Sequence, residues 1–343
     1  MQKNILRLAA ALLAVMAWSG CAWVHDDISR CPKGFNVMLR QKLLSSSGEH
    51  AVGILADEVN DATLFVFDAD DSLFVSKVTA TGDELRENGY KVHVPTDPGR
   101  YIIIGWAGLS DSSYILPETV AGSTHLKDFT LLLDRDEEGR KNEYLTPLFH
   151  GMTEVVIVKE HQCRTVFMDM TKNTKNFVIV LQDYGGQSIK AETFTYKIIS
   201  DNGKIDHANN IITDNPVSYG AYFIETVALD SKADDDAVMS ITAARAEMNT
   251  LRFTKDCSTR FVLNERAGGK KVVDIDLSGY ILLTKEHYEN KIGKALSDQE
   301  YLDSEHVFSI VFFMMPTGSI VNPYTVVSLK INDWIIRLND AVL

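Results

Sequence analysis

Ala62-Thr-Leu-Phe-Val-Phe-Asp68 is apolar at five of its seven positions, and the run Asp68-Ala-Asp-Asp-Ser72 follows it at once. β-Branched and aromatic residues suit a pleated backbone, and Asp and Ser favour the turn that ends it. A run this short reads as a buried strand rather than a helix. The next apolar stretch, residues 73–78, starts at hairpin distance, so the two are expected to pair. Residues 90–94 alternate, with Val92 and Val94 on one face and Lys91 and His93 on the other. Pro95 and the turn Asp97-Pro98-Gly99 close that strand. Residues 101–107 form another buried candidate, and residues 35–39, 129–133, 154–158 and 164–170 extend the series in both directions.

Thr171-Lys-Asn-Thr-Lys-Asn176 interrupts it. The segment is wholly polar, with no apolar side chain to fix it in a core, and a domain boundary is expected there. A second series of strands follows at residues 177–181, 193–199, 250–254, 260–263, 271–276, 307–314, 324–331 and 334–338. Asp201-Asn202-Gly203, Gly268-Gly269 and Asn332-Asp333 supply its turns. Helix is the minor component, one or two turns within residues 278–296 and around Tyr301, while residues 237–248 are ambiguous between helix and strand. Many short strands separated by turns predict a mainly β fold of sandwiches rather than a parallel α/β sheet. The expected division is residues 34–172 for an N-terminal unit and 177–343 for a C-terminal one.

The start of the chain has a different grammar. Lys3 and Arg7 precede an uncharged, mostly apolar run from Leu8 to Trp18, and Ser19-Gly20 lead to Cys21. Charge, apolar core and small residues in that order make residues 1–20 a secretory signal peptide. The run is shorter than the ~20 residues a membrane-spanning helix needs. Ser19, Gly20 and Cys21 match a bacterial lipobox, and Trp18 departs from its aliphatic position. Cys21 is therefore expected to become the lipidated N-terminus, with residues 21–33 as a polar tether. The competing reading is an ordinary cleavage site beside a chance cysteine.

The chain carries a net charge of −13, and cleavage would remove Lys3 and Arg7 but no acid. So acidic a protein lacks the basic patch that nucleic-acid phosphates require. The acids are dispersed, as on an ordinary solvated surface. Four cysteines are present, and after Cys21 there remain Cys31, Cys163 and Cys257. Export permits disulfides, and three thiols allow one internal bridge. Cys31 and Cys163, both in the first half, are the expected pair, with Cys257 a buried thiol.

Catalytic signatures are missing. The sequence contains neither Gly-x-Ser-x-Gly nor His-Glu-x-x-His, and Gly268-Gly-Lys-Lys271 lacks the other elements of a phosphate loop. Asp68-x-Asp70-x-Ser72 begins like a calcium loop without its central glycine, so a hairpin turn is expected. Asp234-Asp235-Asp236 reads as a solvated loop, His150 as a structural histidine near a turn, and Trp106 as core rather than a sugar-binding face. No enzyme, cofactor or metal site is expected.

Several segments carry a family resemblance: Cys21-Ala-Trp-Val-His-Asp-Asp27 with Cys31-Pro32, the opening strand at 62–68, and Gly99-Arg-Tyr-Ile-Ile-Ile-Gly-Trp-Ala-Gly-Leu109. Pro147-Leu-Phe-His-Gly151, Asn249-Thr-Leu-Arg-Phe253, Asp298-Gln-Glu-Tyr-Leu-Asp303, Phe308-Ser-Ile-Val-Phe-Phe313 and Ile331-Asn-Asp-Trp334 continue it in order. In these the chain resembles the fimbrillin-A-associated anchor proteins, lipoproteins at the base of fimbriae on Gram-negative anaerobes. The resemblance implies two tandem transthyretin-like β-sandwich domains. It implies a protein held on the outer membrane by lipid on Cys21, exposed at the surface, binding a fimbrial shaft subunit and helping to limit fimbrial length. By analogy with the family, Asp26 and Asp27 would act as a surface-export signal, although solvation of the tether accounts for them equally. The shaft subunit is expected to join by adding a strand to an open sheet edge. Rival readings are a surface lipoprotein binding carbohydrate or a host protein, and a lipid-anchored hydrolase.

Overall fold

The computed structural model describes residues 32–45, 48–53, 58–87, 89–110, 112–158, 161–231, 239–319 and 324–337. Cys21, Asp26, Asp27, Cys31 and Asp234–Asp236 lie outside them. Cys163 lies in a described strand, but its side chain is not described.

Strands dominate. An eight-stranded sheet contains β1 (Gly34–Ser45), β2 (Gly48–Gly53), β3 (Asp61–Asp68), β4 (Phe74–Thr81), β5 (Lys91–Val94), β6 (Gly99–Ala107), β10 (Phe149–Ile157) and β11 (His161–Lys172). A three-stranded sheet holds β7 (Tyr114–Ile115), β8 (Thr130–Leu133) and β14 (Lys204–Asp206). A five-stranded sheet holds β9 (Arg140–Lys141), β13 (Phe194–Ser200), β15 (Val217–Gly220), β18 (Thr259–Glu265) and β19 (Lys271–Asp276). A six-stranded sheet runs in the order β16 (Phe223–Ser231), β17 (Met239–Leu251), β12 (Thr174–Asp183), β20 (Val307–Pro316), β21 (Tyr324–Ile331), β22 (Trp334–Arg337). Most pairs are antiparallel. Three are parallel, β1 with β11, β12 with β20 and β15 with β9. The first two repeat one device: the strand that opens each large sheet is laid beside a strand from much later in the chain.

The opening stretch explains itself here. β3 is buried on both faces. Ala62, Leu64 and Val66 pack with Val37, Leu39, Ile103 and Met168, while Phe65 and Phe67 pack with Phe74, Ile104, Trp106 and Phe129. Phe129 lies edge-on to Phe67 with centroids 5.5 Å apart. A strand with a core on each side needs no polar alternation, hence the near-continuous apolar run. The core that receives Phe65 and Trp106 continues without a break through Phe177, Phe253, Phe261 and Phe308.

Gly108 shows how tightly the chain is folded where β6 ends. Its φ is +92°, and a Cβ there would stand 2.0 Å from the Pro147 carbonyl oxygen. Glycine alone meets both conditions.

Among the described residues there are four short α-helices: α1 (Gly82–Glu87), α2 (Leu277–Leu282), α3 (Lys285–Ile292) and α4 (Asp298–Ser304). The Asp276 side chain accepts from Gly279 N at the start of α2, Gly293 at φ 72° ends α3, and Ser297 with Glu300 forms a capping box on α4. The ambiguous segment 237–248 falls largely in β17. That strand is paired on both sides, with β12 and β16, and its Ala244, Ala246 and Met248 enter the core.

Candidate functional site

Sheet membership changes at Asn173, between β11 and β12, inside the stretch whose polarity suggested nothing to hold it in a core. The structure instead buries it, with Asn173 and Lys175 completely inaccessible. Hydrogen bonds replace apolar contacts there. Asn173 N donates to Leu148 O, and Asn173 O accepts from Arg252 N, both at 2.6 Å. The Asn173 and Asn209 amides donate to each other at 2.7 and 3.2 Å. The Lys175 ammonium donates to the carbonyls of Leu302 and Glu305 where α4 ends, and lies 3.2 Å from His306 Nδ1. Burial pushes that ammonium down to about 7, with Asp303 opposing. The Arg252 guanidinium adds an ion pair to Asp303 at 2.9 Å and a bond to Asn209 O at 2.8 Å. Lys172 pairs with Glu58. Buried polar groups demand such partners. This seam has the chemistry of a structural joint, in which each cation meets carbonyls or acids.

His150 belongs to the same region. Its ring stands edge-on to Trp106 at 4.5 Å, and Nε2 is 3.0 Å from His207 O. Burial pushes its imidazolium down to about 4. The unfolded chain then binds the extra proton between pH 6.5 and 4, so stability is full above the ordinary histidine range and falls as pH drops through it. Between pH 7 and 4 the parent should lose about 3 kcal/mol relative to a His150→Gln variant. Denaturant titrations of both proteins across that range check this; a gap that does not change with pH would contradict a neutral, buried His150. Trp106 is 1% exposed, so it is core and offers no sugar-binding face.

The Asp68–Ser72 turn is a hairpin connection. Asp68 Oδ1 accepts from Asp70 N at 2.7 Å and Asp71 Oδ1 from Leu73 N at 2.9 Å, the local bonding typical of Asx turns. Beside it a cleft of about 370 Å³ is lined by Asp71, Ser72, His125, Leu126, Lys127 and His207. Among the described residues no group of three or more His, Cys, Asp or Glu is placed to hold a metal. Cys257 is a half-buried free thiol that accepts from Thr254 Oγ1 at 3.3 Å.

What remains accessible is sheet edge and surface aromatic. β16 and β22 end the six-stranded sheet, and Phe223, Ile224, Trp334 and Ile335 on them are exposed. Tyr144, ahead of the seam, meets Tyr222, after it, edge-on at 5.2 Å. Tyr222 Oη donates to Glu247 Oε2 at 2.9 Å. Sequence reasoning missed Tyr144, Tyr222 and β16. The alternation Phe223-x-Glu225-x-Val227-x-Leu229 was the signal available.

A mainly β body with open edges, whose buried ionisable groups are engaged in structure, has the character of a building-block protein. The chain belongs to the family of fimbrillin-A associated anchor proteins Mfa1 and Mfa2, whose profile matches residues 29–340. It is similar to a solved candidate polysaccharide-binding protein from Bacteroides thetaiotaomicron, at 27% identity and TM-score 0.73, covering 89% of this chain and 98% of that one. A candidate adhesin from the same organism shares the fold at 24% identity and TM-score 0.74, covering 90% and 99%. So does the fimbrial anchor protein Mfa2 from Porphyromonas gingivalis, at 19% identity and TM-score 0.65, covering 90% and 99%. No curated protein matches. Membership of a family of structural fimbrial anchor proteins gives the chain a fimbrial anchor role and a place in the cell envelope. No helix among the described residues is long and apolar enough to cross a membrane.

Proposed function

We propose that this chain is an outer-membrane lipoprotein, lipidated on Cys21, that anchors a fimbrium at its base and limits its length by accepting the first shaft subunit through strand addition. The observation that carries the proposal is the order of parts: a charged and apolar leader, a small-residue step to Cys21, a short polar tether, then a strand-built body of the anchor family. Lipid resists pull, while an open edge gives the next subunit a row of unpaired backbone groups. Growth ends where a subunit can be extended in one direction and is fixed to the membrane in the other. The expected division of the body into units 34–172 and 177–343 separates a membrane-proximal half from a half that carries the six-stranded sheet.

The test uses purified protein lacking Cys21, with its fold verified by circular dichroism. It is expected to bind a fimbrial shaft subunit in solution; correct folding with no affinity for any fimbrial subunit would contradict the reading. For sorting, Asp26 and Asp27 are proposed to direct the lipoprotein to the outer leaflet. Replacing both by Ala should protect the protein from protease added to whole cells. Unchanged cleavage would leave them as solvating residues of the tether.

A second reading, carbohydrate binding at the surface, draws on the Tyr144–Tyr222 pair beside Glu247 and on the description of the 27%-identical relative. Aromatic faces flanked by a carboxylate suit sugar stacking. Titration with bacterial and host polysaccharides, repeated on Tyr144→Ala, distinguishes it from the anchor reading.

A further inference from the structure

We infer that β16 is the edge on which a fimbrial shaft subunit docks, and that its occupant is an extended strand with alternating apolar residues and a basic residue near its paired end. This deepens the anchor reading and rests on it.

β16 is nine residues long, about 30 Å of strand. It pairs with β17 at every position from Phe223 opposite Glu247 to Ser231 opposite Met239, without a bulge. Its other side pairs with no strand among the described residues. Exposed edges are usually blunted by brevity, bulges, Lys, Pro or a covering loop. β4 shows such a cover: Phe74 N donates to Thr124 O, and Phe74 O accepts from Gly122 N. β22, at the opposite end of the same sheet, is four residues long. Phe-Ile-Glu-Thr-Val-Ala-Leu-Asp-Ser, the sequence of β16, contains neither Lys nor Pro, and its Phe223, Ile224, Thr226 and Val227 favour strand. An edge this long and regular is a template for another strand.

The side chains say which strand fits. Phe223, Glu225, Val227 and Leu229 share one face by the period of two. Phe223 is exposed, and Val227 and Leu229 are half-buried. These positions offer apolar contacts to alternate residues of an incoming strand. Near Phe223, Arg245 bridges Glu225 at 2.6 Å and also pairs with Glu247, and its guanidinium lies 5.8 Å from the Phe223 ring. Two carboxylates share one cation, so this end of the edge is left with net negative charge, on a chain that is acidic as a whole. A Lys or Arg on the donor strand satisfies it and fixes the register.

The experiment measures binding of a purified shaft subunit to the detergent-solubilised full chain, together with amide hydrogen exchange. The parent is expected to bind, with exchange protection gained in residues 223–231 and affinity that weakens with added salt. Val227→Lys with Leu229→Lys should reduce affinity at least tenfold with unchanged thermal unfolding, while Ile335→Lys on β22 should stay within twofold of the parent. If the shaft subunit binds but protects another edge, or the β16 variant binds as the parent does, this assignment is overturned and the anchor reading stands. If the parent binds no shaft subunit, both fall. Protection of 223–231 that rises with protein concentration in the absence of shaft subunit would make the occupant a second copy and overturn the assignment as well. The exchange measurement on the parent decides even if a variant fails to fold.

Discussion

Replacing Cys21 by Ala is expected to move the protein from the membrane fraction to the periplasm or medium, with less than a tenth remaining attached. The argument is energetic. A single myristoyl-sized chain gives marginal, reversible binding, and each buried methylene contributes about 0.8 kcal/mol. Several acyl chains on one residue therefore hold firmly, and without them nothing in the described structure substitutes. Its helices are short and no long apolar helix is present among the described residues. The chain, with net charge −13 before the leader's Lys3 and Arg7 are removed, gains nothing from the anionic lipid surface. Fimbriae of cells carrying the variant should be shed into the medium and should be longer than those of the parent. Cell fractionation and electron microscopy read both effects. A Cys21→Ala protein that stays with the outer membrane would mean that another part of the chain holds it there.

Lys175→Ala is expected to cost about 3–5 kcal/mol of folding stability, the largest loss from any single side chain in the seam. The substitution leaves two buried carbonyls without a donor, at about 1–3 kcal/mol each, and adds a cavity where the aliphatic stem was. Those carbonyls, of Leu302 and Glu305, close the end of α4, while Lys175 stands at the start of β12. The loss should therefore also appear as local opening of α4 in hydrogen exchange. Lys175→Met keeps most of the volume and leaves the carbonyls unpaired, so it should cost less than Lys175→Ala but remain destabilising. Chemical denaturation of the three proteins orders them. Equal stability of all three would show that the ammonium contributes nothing net to the joint.

The same seam shows where the sequence stopped being informative. β3 was legible because burial on both faces leaves a continuous apolar run, a signal held within seven residues. Residues 171–176 carried the opposite signal. Their partners lie far along the chain, from Asn209 to Leu302 and Glu305, and no local pattern announces that a lysine meets two carbonyls more than 120 residues away. Polarity was read correctly, and its burial was invisible. β17 was ambiguous for a related reason. Ala-Ala-Arg-Ala-Glu-Met favours helix locally, and pairing with β12 and β16 on its two sides overrides that preference. β14 and β15 went unread because short strands among polar turns resemble loops until their partners are known. His150 and Trp106 were assigned structural roles from setting alone, and the geometry agrees. Membership of the anchor family was legible in the order of many ordinary strands, none decisive singly, and the profile match over residues 29–340 confirms it.

The most direct test of a lipid-held anchor is the mass of the mature N-terminal peptide, isolated from the outer membrane. The account predicts a peptide that begins at Cys21 and is heavier than its sequence by the mass of a diacylglyceryl group and a further acyl chain. A peptide with Cys21 unmodified, or one that still begins at Met1, would contradict it.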